Sequence, residues 1–127
     1  RINRNDRKMR KIEFKGQIVD NGKWVFGAPF FIKEENFTSI ITNCQTLNFK
    51  DSETTYTGYE VKPESISQYI GHKDKNNVKI YENDRVLYDG VLGSVFYSEN
   101  LAMFMVRFDY TNSVYSFDSL DRDVEVV

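Results

Sequence analysis

Apolar residues recur at every second position in the second half of the chain, and this alternation predicts β-strands. Val78 and Ile80 alternate with polar neighbours, and Val86 and Tyr88 do the same. A period of two is typical of a strand that buries one face. The polar triplet at 82–84 lies between the two runs, so it predicts the corner that joins two short strands.

Turn-forming residues punctuate the rest of the chain. The sequences Asp-Asn-Gly at 20–22 and Asp-Gly at 89–90 predict tight hairpins. Asn77 and Asn83 are predicted to adopt a positive φ, which the short amide of asparagine tolerates better than most side chains. Strands are predicted at 12–18, 24–26, 30–32, 39–42, 46–49, 54–61, 78–80, 86–88, 91–97, 101–110, 115–117 and 124–127.

One segment has the spacing of a helix. Ile66, Tyr69 and Ile70 would share one helical face, and Pro63 suits a first helical turn. The pattern therefore predicts a short helix over 64–70, followed by a polar loop at 71–77 that contains no apolar residue.

These elements predict a mainly β fold of antiparallel strands and hairpins with one short helical turn. The number and spacing of the strands after Ile80 predict a small SH3-like barrel in the C-terminal half. Residues 1–10 are predicted to form a flexible basic arm. Residues 11–127 are predicted to form one domain, with an N-terminal lobe at 11–62, a linker at 63–77 and a barrel-like lobe at 78–127.

Composition narrows the classes of protein. The 127 residues contain one cysteine, Cys44, so no intramolecular disulfide can form and a reducing cytoplasm is expected. No apolar run approaches twenty residues, so no membrane span is expected. The net charge of −2 is unevenly divided: residues 1–11 carry +5 and the remainder carries −7.

Two stretches of the sequence carry a family resemblance. The run Q-Y-I-G-H-K-D-K-N-N-V-K-I-Y-E-N-D-R-V at 68–86 and the residues F-K-G and G-K-W-V-F-G within 14–27 resemble the YopX family of phage and prophage proteins. The family commonly has glycine where this chain has Asn77 and Asn83. The resemblance spans about residues 9 to 127. It implies a phage-derived, mostly β protein of unknown role, and it supplies no activity or cofactor.

No catalytic or metal-binding set is evident in the sequence. His72 is the only histidine and has no obvious partner as a base or as a zinc ligand. Asp121, Asp123 and Glu125 would share one face of a strand, where they could hold Mg²⁺ or Ca²⁺ or form a solvated edge. No P-loop, G-x-G-x-x-G, G-x-S-x-G or H-E-x-x-H sequence occurs. We therefore expect no catalytic residues, no metal and no cofactor.

The leading hypothesis is a non-enzymatic accessory protein that binds a protein partner or associates with itself. Its predicted recognition surface is the 71–77 loop with neighbouring tyrosines, namely Tyr69, His72, Lys73, Asp74, Lys75, Asn76 and an exposed Tyr81. The alternative is a nucleic-acid-binding module that uses the basic arm with Lys73, Lys75 and Lys79. A third hypothesis is a metal-assisted hydrolase that uses the acidic row at 121–125.

Overall fold

The computed structural model describes residues 10–32, 37–43, 57–120 and 123–127. Within these residues the chain forms eleven β-strands and one 3-10 turn at Pro63–Ser65. The strands are β1 (Phe14–Gln17), β2 (Trp24–Ile32), β3 (Phe37–Asn43), β4 (Thr57–Glu60), β5 (Ser67–Lys73), β6 (Lys79–Tyr81), β7 (Arg85–Tyr88), β8 (Val91–Ser98), β9 (Met103–Phe108), β10 (Val114–Ser116) and β11 (Glu125–Val126).

The strands form two antiparallel sheets. The first has six strands in the order β4-β3-β2-β1-β5-β6, and the second has five in the order β10-β9-β8-β7-β11. The mainly β, antiparallel prediction is therefore confirmed. The SH3-like barrel is not confirmed, because β6 pairs within the first sheet and the described pairings leave β10 and β11 as the outer strands of the second.

The predicted turns occur where the sequence placed them. The hairpin between β1 and β2 has Gly22 at φ 71°, and the one between β7 and β8 has Asp89 at φ 48° and Gly90 at φ 78°. Asn77 and Asn83 also adopt positive φ values, of 65° and 71°. The left-handed conformation at these asparagines confirms the prediction.

The predicted helix at 64–70 is wrong. Only Pro63–Ser65 is helical, and the chain then enters β5, where Ser67 and Gln68 pair with Lys15 and Phe14 of β1. Alternate residues of β5 are buried, as a strand requires. The polar loop is also shorter than predicted, because residues 71–73 continue β5 and the turn begins at Asp74.

The largest buried cluster joins the two sheets. Ile80 of β6 is buried together with Val86, Val95 and Val106 of the second sheet. Gly93 on β8 makes this packing close, because a Cβ at that position would lie 2.8 Å from Cγ1 of Val106. The division into lobes at residue 78 stays a prediction.

Some predictions lie outside the described residues. These are the basic arm up to residue 9, the strand at 46–49, Cys44 and Asp121. The strand predicted at 101–110 starts later than expected, since β9 begins at Met103. Of the strand predicted at 54–61, residues 54–56 lie outside the described part of the chain, and β4 covers Thr57–Glu60. In the described part of the chain no helix is long and apolar enough to cross a membrane.

Candidate binding groove

Strand register places a set of aromatic and charged residues on one face of the six-stranded sheet. Lys15 of β1 lies opposite Phe26 of β2 on one side and opposite Ser67 of β5 on the other. Tyr69, two residues beyond Ser67, lies opposite Tyr81 of β6. Directly paired residues in an antiparallel sheet share a face, so four strands contribute to one surface.

This surface forms a groove with a volume of about 640 Å³. Trp24 and Phe26 are prominent in it, with exposed fractions of 46% and 47%. Their rings therefore remain available for contact with a ligand. The groove is lined by Glu13, Lys15, Trp24, Phe26, Val78, Lys79, Tyr81, Asp84, Val126 and Val127.

The ammonium group of Lys15 lies at the centre of the groove. It donates a hydrogen bond of 2.6 Å to Oδ1 of Asp84. It also lies 4.8 Å from the ring centroid of Trp24 and 4.9 Å from that of Tyr81, within the range of cation–π attraction. Oδ2 of Asp84 accepts the backbone N–H of Tyr81 at 2.9 Å. Lys15 thus holds the two rings and the carboxylate in a fixed arrangement.

A second ion pair forms the wall of the groove. Oε2 of Glu13 accepts hydrogen bonds from Nζ of Lys79 at 2.5 Å and from the Tyr81 hydroxyl at 3.1 Å. Burial raises the pKa of Glu13, but the hydrogen bonds from Lys79 and Tyr81 outweigh it, so that pKa lies below its usual value. Burial, followed by the charge and hydrogen bond of Glu13, raises the pKa of Tyr81 to about 12.

Both tyrosines of the predicted recognition surface are buried. Tyr81 is only 4% exposed and Tyr69 only 8%, so the prediction of an exposed Tyr81 is wrong. Their ring centroids lie 5.7 Å apart, with Tyr81 packed under Phe26 at 5.9 Å. The alternation of β6 gave the correct period but did not show which face would be covered.

Asp74 has a structural position within the predicted recognition loop. It is 7% exposed, and its carboxylate accepts backbone N–H groups from Asn76, Val78 and Val126. His72, Lys73, Lys75 and Asn76 are exposed, and Lys75 lies 3.5 Å from Glu125. The four exposed residues do not line the groove.

The structure describes the residues of the other two predicted sites only in part. Of the three lysines in the nucleic-acid hypothesis, Lys75 and Lys79 are already paired with carboxylates. Of the acidic row, Asp121 lies outside the described residues and Glu125 pairs with Lys75. In the part of the chain that the structure describes, no group of three or more histidine, cysteine, aspartate or glutamate side chains could hold a metal.

Sequence reasoning missed the groove itself. Its main contributors are Glu13, Lys15, Trp24, Phe26 and Asp84. Lys15, Trp24 and Phe26 were noted only as part of the family resemblance. The available signal was the hairpin at 20–22, which fixes β1 against β2 and so places Lys15 beside Phe26.

The fold and the groove define an antiparallel β protein with a concave aromatic surface that holds internally paired charges. The family model described as YopX protein matches residues 6–126. The chain therefore belongs to the YopX family. No curated protein sequence matches it.

Proposed function

We propose that this chain is a non-enzymatic phage or prophage accessory protein that binds a protein partner through the groove. The observation that carries the proposal is the pair of half-exposed rings, Trp24 and Phe26, beside a fixed Lys15. Tryptophan is enriched at the energetic centres of protein interfaces, and phenylalanine is enriched in interfaces generally. A cytoplasmic location in a bacterial host is part of the proposal.

The charges in the groove favour an apolar ligand. Lys15 is paired with Asp84, and Lys79 is paired with Glu13. These partners leave the groove close to electrically neutral, so it offers little attraction to a phosphate or to another highly charged group. The exposed apolar surface of Trp24, Phe26, Val78 and Val127 is then the main source of affinity.

The ionisable groups support binding rather than catalysis. The pKa of Glu13 is lowered and that of Tyr81 is raised to about 12. Both shifts lead away from neutrality, whereas the pKa of a general acid or base is usually tuned towards the working pH.

The size of the groove indicates which partner fits. The two rings expose about 200 Å² together, if each would expose about 200 Å² when free. A standard protein interface buries about 800 Å² on each partner, so these two residues would form the centre of a larger contact. The groove is also concave, and two concave surfaces fill each other poorly. We therefore infer that the occupant is a protruding apolar segment of a different protein.

The test is a capture experiment from host lysate with groove variants. Wild type is compared with Trp24→Ser and Phe26→Asp. The matched control is Leu101→Asp in the turn between β8 and β9, where Leu101 is 61% exposed. We expect a specific protein that both groove variants lose and the control retains. A segment of that protein should also shift the emission of Trp24, the only tryptophan in the chain.

Three results would count against this proposal. Capture that is the same for all variants would place the contact elsewhere. If the emission of Trp24 does not change at a saturating concentration of the segment of the captured protein, the contact also lies outside the groove. If wild type forms concentration-dependent dimers and Phe26→Asp does not, the groove binds a second copy of the chain and not a different protein.

A further inference from the structure

A second cavity lies beside β5, and none of the residues that line the groove lines it. Its volume is about 440 Å³, within the range of small-ligand sites. The chain preceding β1, strand β5, the β8–β9 hairpin and the turn after β10 all contribute to it. The lining residues are Arg10, Lys11, Gln68, Tyr69, Ile70, Gly71, His72, Tyr97, Ala102, Met103, Phe104, Phe117 and Asp118.

One wall of this cavity is cationic. Arg10 and Lys11 are both exposed there, and the chain carrying them runs beside β5, because the Tyr69 N–H donates to the Glu13 carbonyl at 2.7 Å. Lys11 makes only a loose contact with Glu13, at 3.9 Å. Asp118 is the one acidic residue among the lining residues. Unlike the groove, the cavity therefore presents cations that are largely available to a ligand.

The opposite wall is aromatic. Tyr97 is 43% exposed, and its ring meets that of Phe104 edge-to-face at 5.1 Å. His72 lies parallel to Phe117, with centroids 6.1 Å apart and an interplanar angle of 14°. The close packing of Phe104 and Phe117 against their neighbours gives rigid rings, and the exposed Tyr97 offers a planar surface to a ligand.

We propose that this cavity binds single-stranded nucleic acid, with a base on Tyr97 and backbone phosphate on Arg10 and Lys11. Proteins that bind single strands combine stacking platforms with a positively charged path for the backbone. In the sequence, Arg1, Arg4, Arg7 and Lys8 directly precede this wall. This site differs from the one in the nucleic-acid hypothesis from sequence, which uses Lys73, Lys75 and Lys79. Two of those lysines, Lys75 and Lys79, are paired with carboxylates.

The test measures fluorescence anisotropy of a short labelled oligothymidylate across about 50 to 200 mM salt. Arg10→Ala/Lys11→Ala removes two phosphate contacts and should reduce the slope of log K against log salt by about 1.4, at roughly 0.7 per contact for a single strand. The matched double variant Lys23→Ala/Lys75→Ala removes two positive charges outside the cavity and should leave the slope almost unchanged.

Stacking is tested separately from charge. Tyr97→Ala should weaken binding by roughly 5- to 150-fold, the range reported for loss of one stacked base, whereas Tyr97→Phe should bind like wild type. Thermal unfolding of each variant shows whether it is folded. A free mononucleotide and the unlabelled oligonucleotide are compared as competitors of the labelled probe. If the mononucleotide competes more weakly per phosphate than the oligonucleotide, the result supports a strand as the ligand.

Several outcomes would overturn this inference. The first is that the folded Tyr97→Ala variant binds the oligonucleotide as tightly as wild type, because the basic residues alone would then explain binding. Equal competition by inorganic polyphosphate would assign the cavity to anions in general. Absence of binding at the lowest salt would also overturn it. None of these results bears on the groove, because Trp24 and Phe26 do not line this cavity.

Discussion

The carboxylate of Asp74 connects the two sheets. Its Oδ1 accepts the backbone N–H groups of Asn76 and Val78 at 2.8 Å each, and its Oδ2 accepts that of Val126 at 2.9 Å. The first two bonds close the turn between β5 and β6, and the third attaches β11 of the second sheet to that turn. We predict that Asp74→Ala lowers the free energy of unfolding by about 3 kcal/mol.

The magnitude follows from the three bonds. A hydrogen bond to a charged group contributes about 1.5–3 kcal/mol, so three such bonds set an upper limit near 9 kcal/mol. Asn76 and Val78 are exposed, so water can replace part of what their N–H groups lose. Asp74→Asn should cost roughly half as much, because the amide oxygen still accepts in the turn while its NH₂ group cannot accept from Val126.

The same carboxylate makes stability depend on pH. Burial raises the pKa of Asp74, but the N–H donors of Val126, Val78 and Asn76 together outweigh burial, so the net pKa lies below its usual value. A lowered folded-state pKa gives stability that is present above the unfolded value of about 3.9 and is lost as the pH falls through the folded value. The stability difference between wild type and Asp74→Asn should therefore shrink below about pH 4.

Urea denaturation from pH 7 down to pH 3 measures both effects. Asp123→Asn is the matched control, since Asp123 is an exposed aspartate close to β11 in sequence. The reasoning is refuted if the free energy of unfolding of Asp74→Ala lies within about 0.5 kcal/mol of the wild-type value, which is the range of ordinary surface substitutions. A difference between wild type and Asp74→Asn that stays constant through pH 3 would contradict the pKa argument alone.

Three further predictions use the same structure. Gly93→Ala should lower the free energy of unfolding by about 1–3 kcal/mol, because its Cβ would lie 2.8 Å from Val106; equal urea midpoints would contradict this. Glu13→Gln should lower the pKa of Tyr81 from about 12 towards 10, as followed by NMR titration of labelled tyrosine, and an unchanged pKa would refute the assigned contact. Lys15→Met should cost roughly 2 kcal/mol, because it leaves a largely buried carboxylate without its cation, whereas Lys15→Arg should retain most of the stability.

Local chemistry explains what could be predicted. The left-handed asparagines at 77 and 83 and the Asp-Gly turn at 89–90 follow from residues that are adjacent in sequence. The alternation at Val78 and Ile80 likewise reflects the strand period. In contrast, β5 was mistaken for a helix because Ile66, Tyr69 and Ile70 have the i, i+3, i+4 spacing of a helical face. Pairing with β1, about fifty residues earlier, selected the strand.

Contacts between distant residues explain what could not be predicted. Lys15 and Asp84 are 69 positions apart, and no local pattern indicates that a lysine in β1 will meet an aspartate after β6. Tyr81 was expected to be exposed as part of a recognition surface. Its burial depends on Phe26 and Tyr69, which lie on two other strands and pack against its ring.

The Lys15–Asp84 pair favours a role beyond stability for the groove. The two side chains are only 17% and 10% exposed, and a buried ion pair is often no more stabilising than well-packed apolar residues of similar volume. What the pair does provide is a fixed cation that orients the rings of Trp24 and Tyr81. Both stretches that carry the YopX resemblance contribute to this arrangement, one through Lys15 and Trp24 and the other through Tyr81 and Asp84. An ion pair that adds little stability but fixes half-exposed aromatic rings is expected of a recognition surface. A rigid surface loses less conformational entropy when it binds its partner.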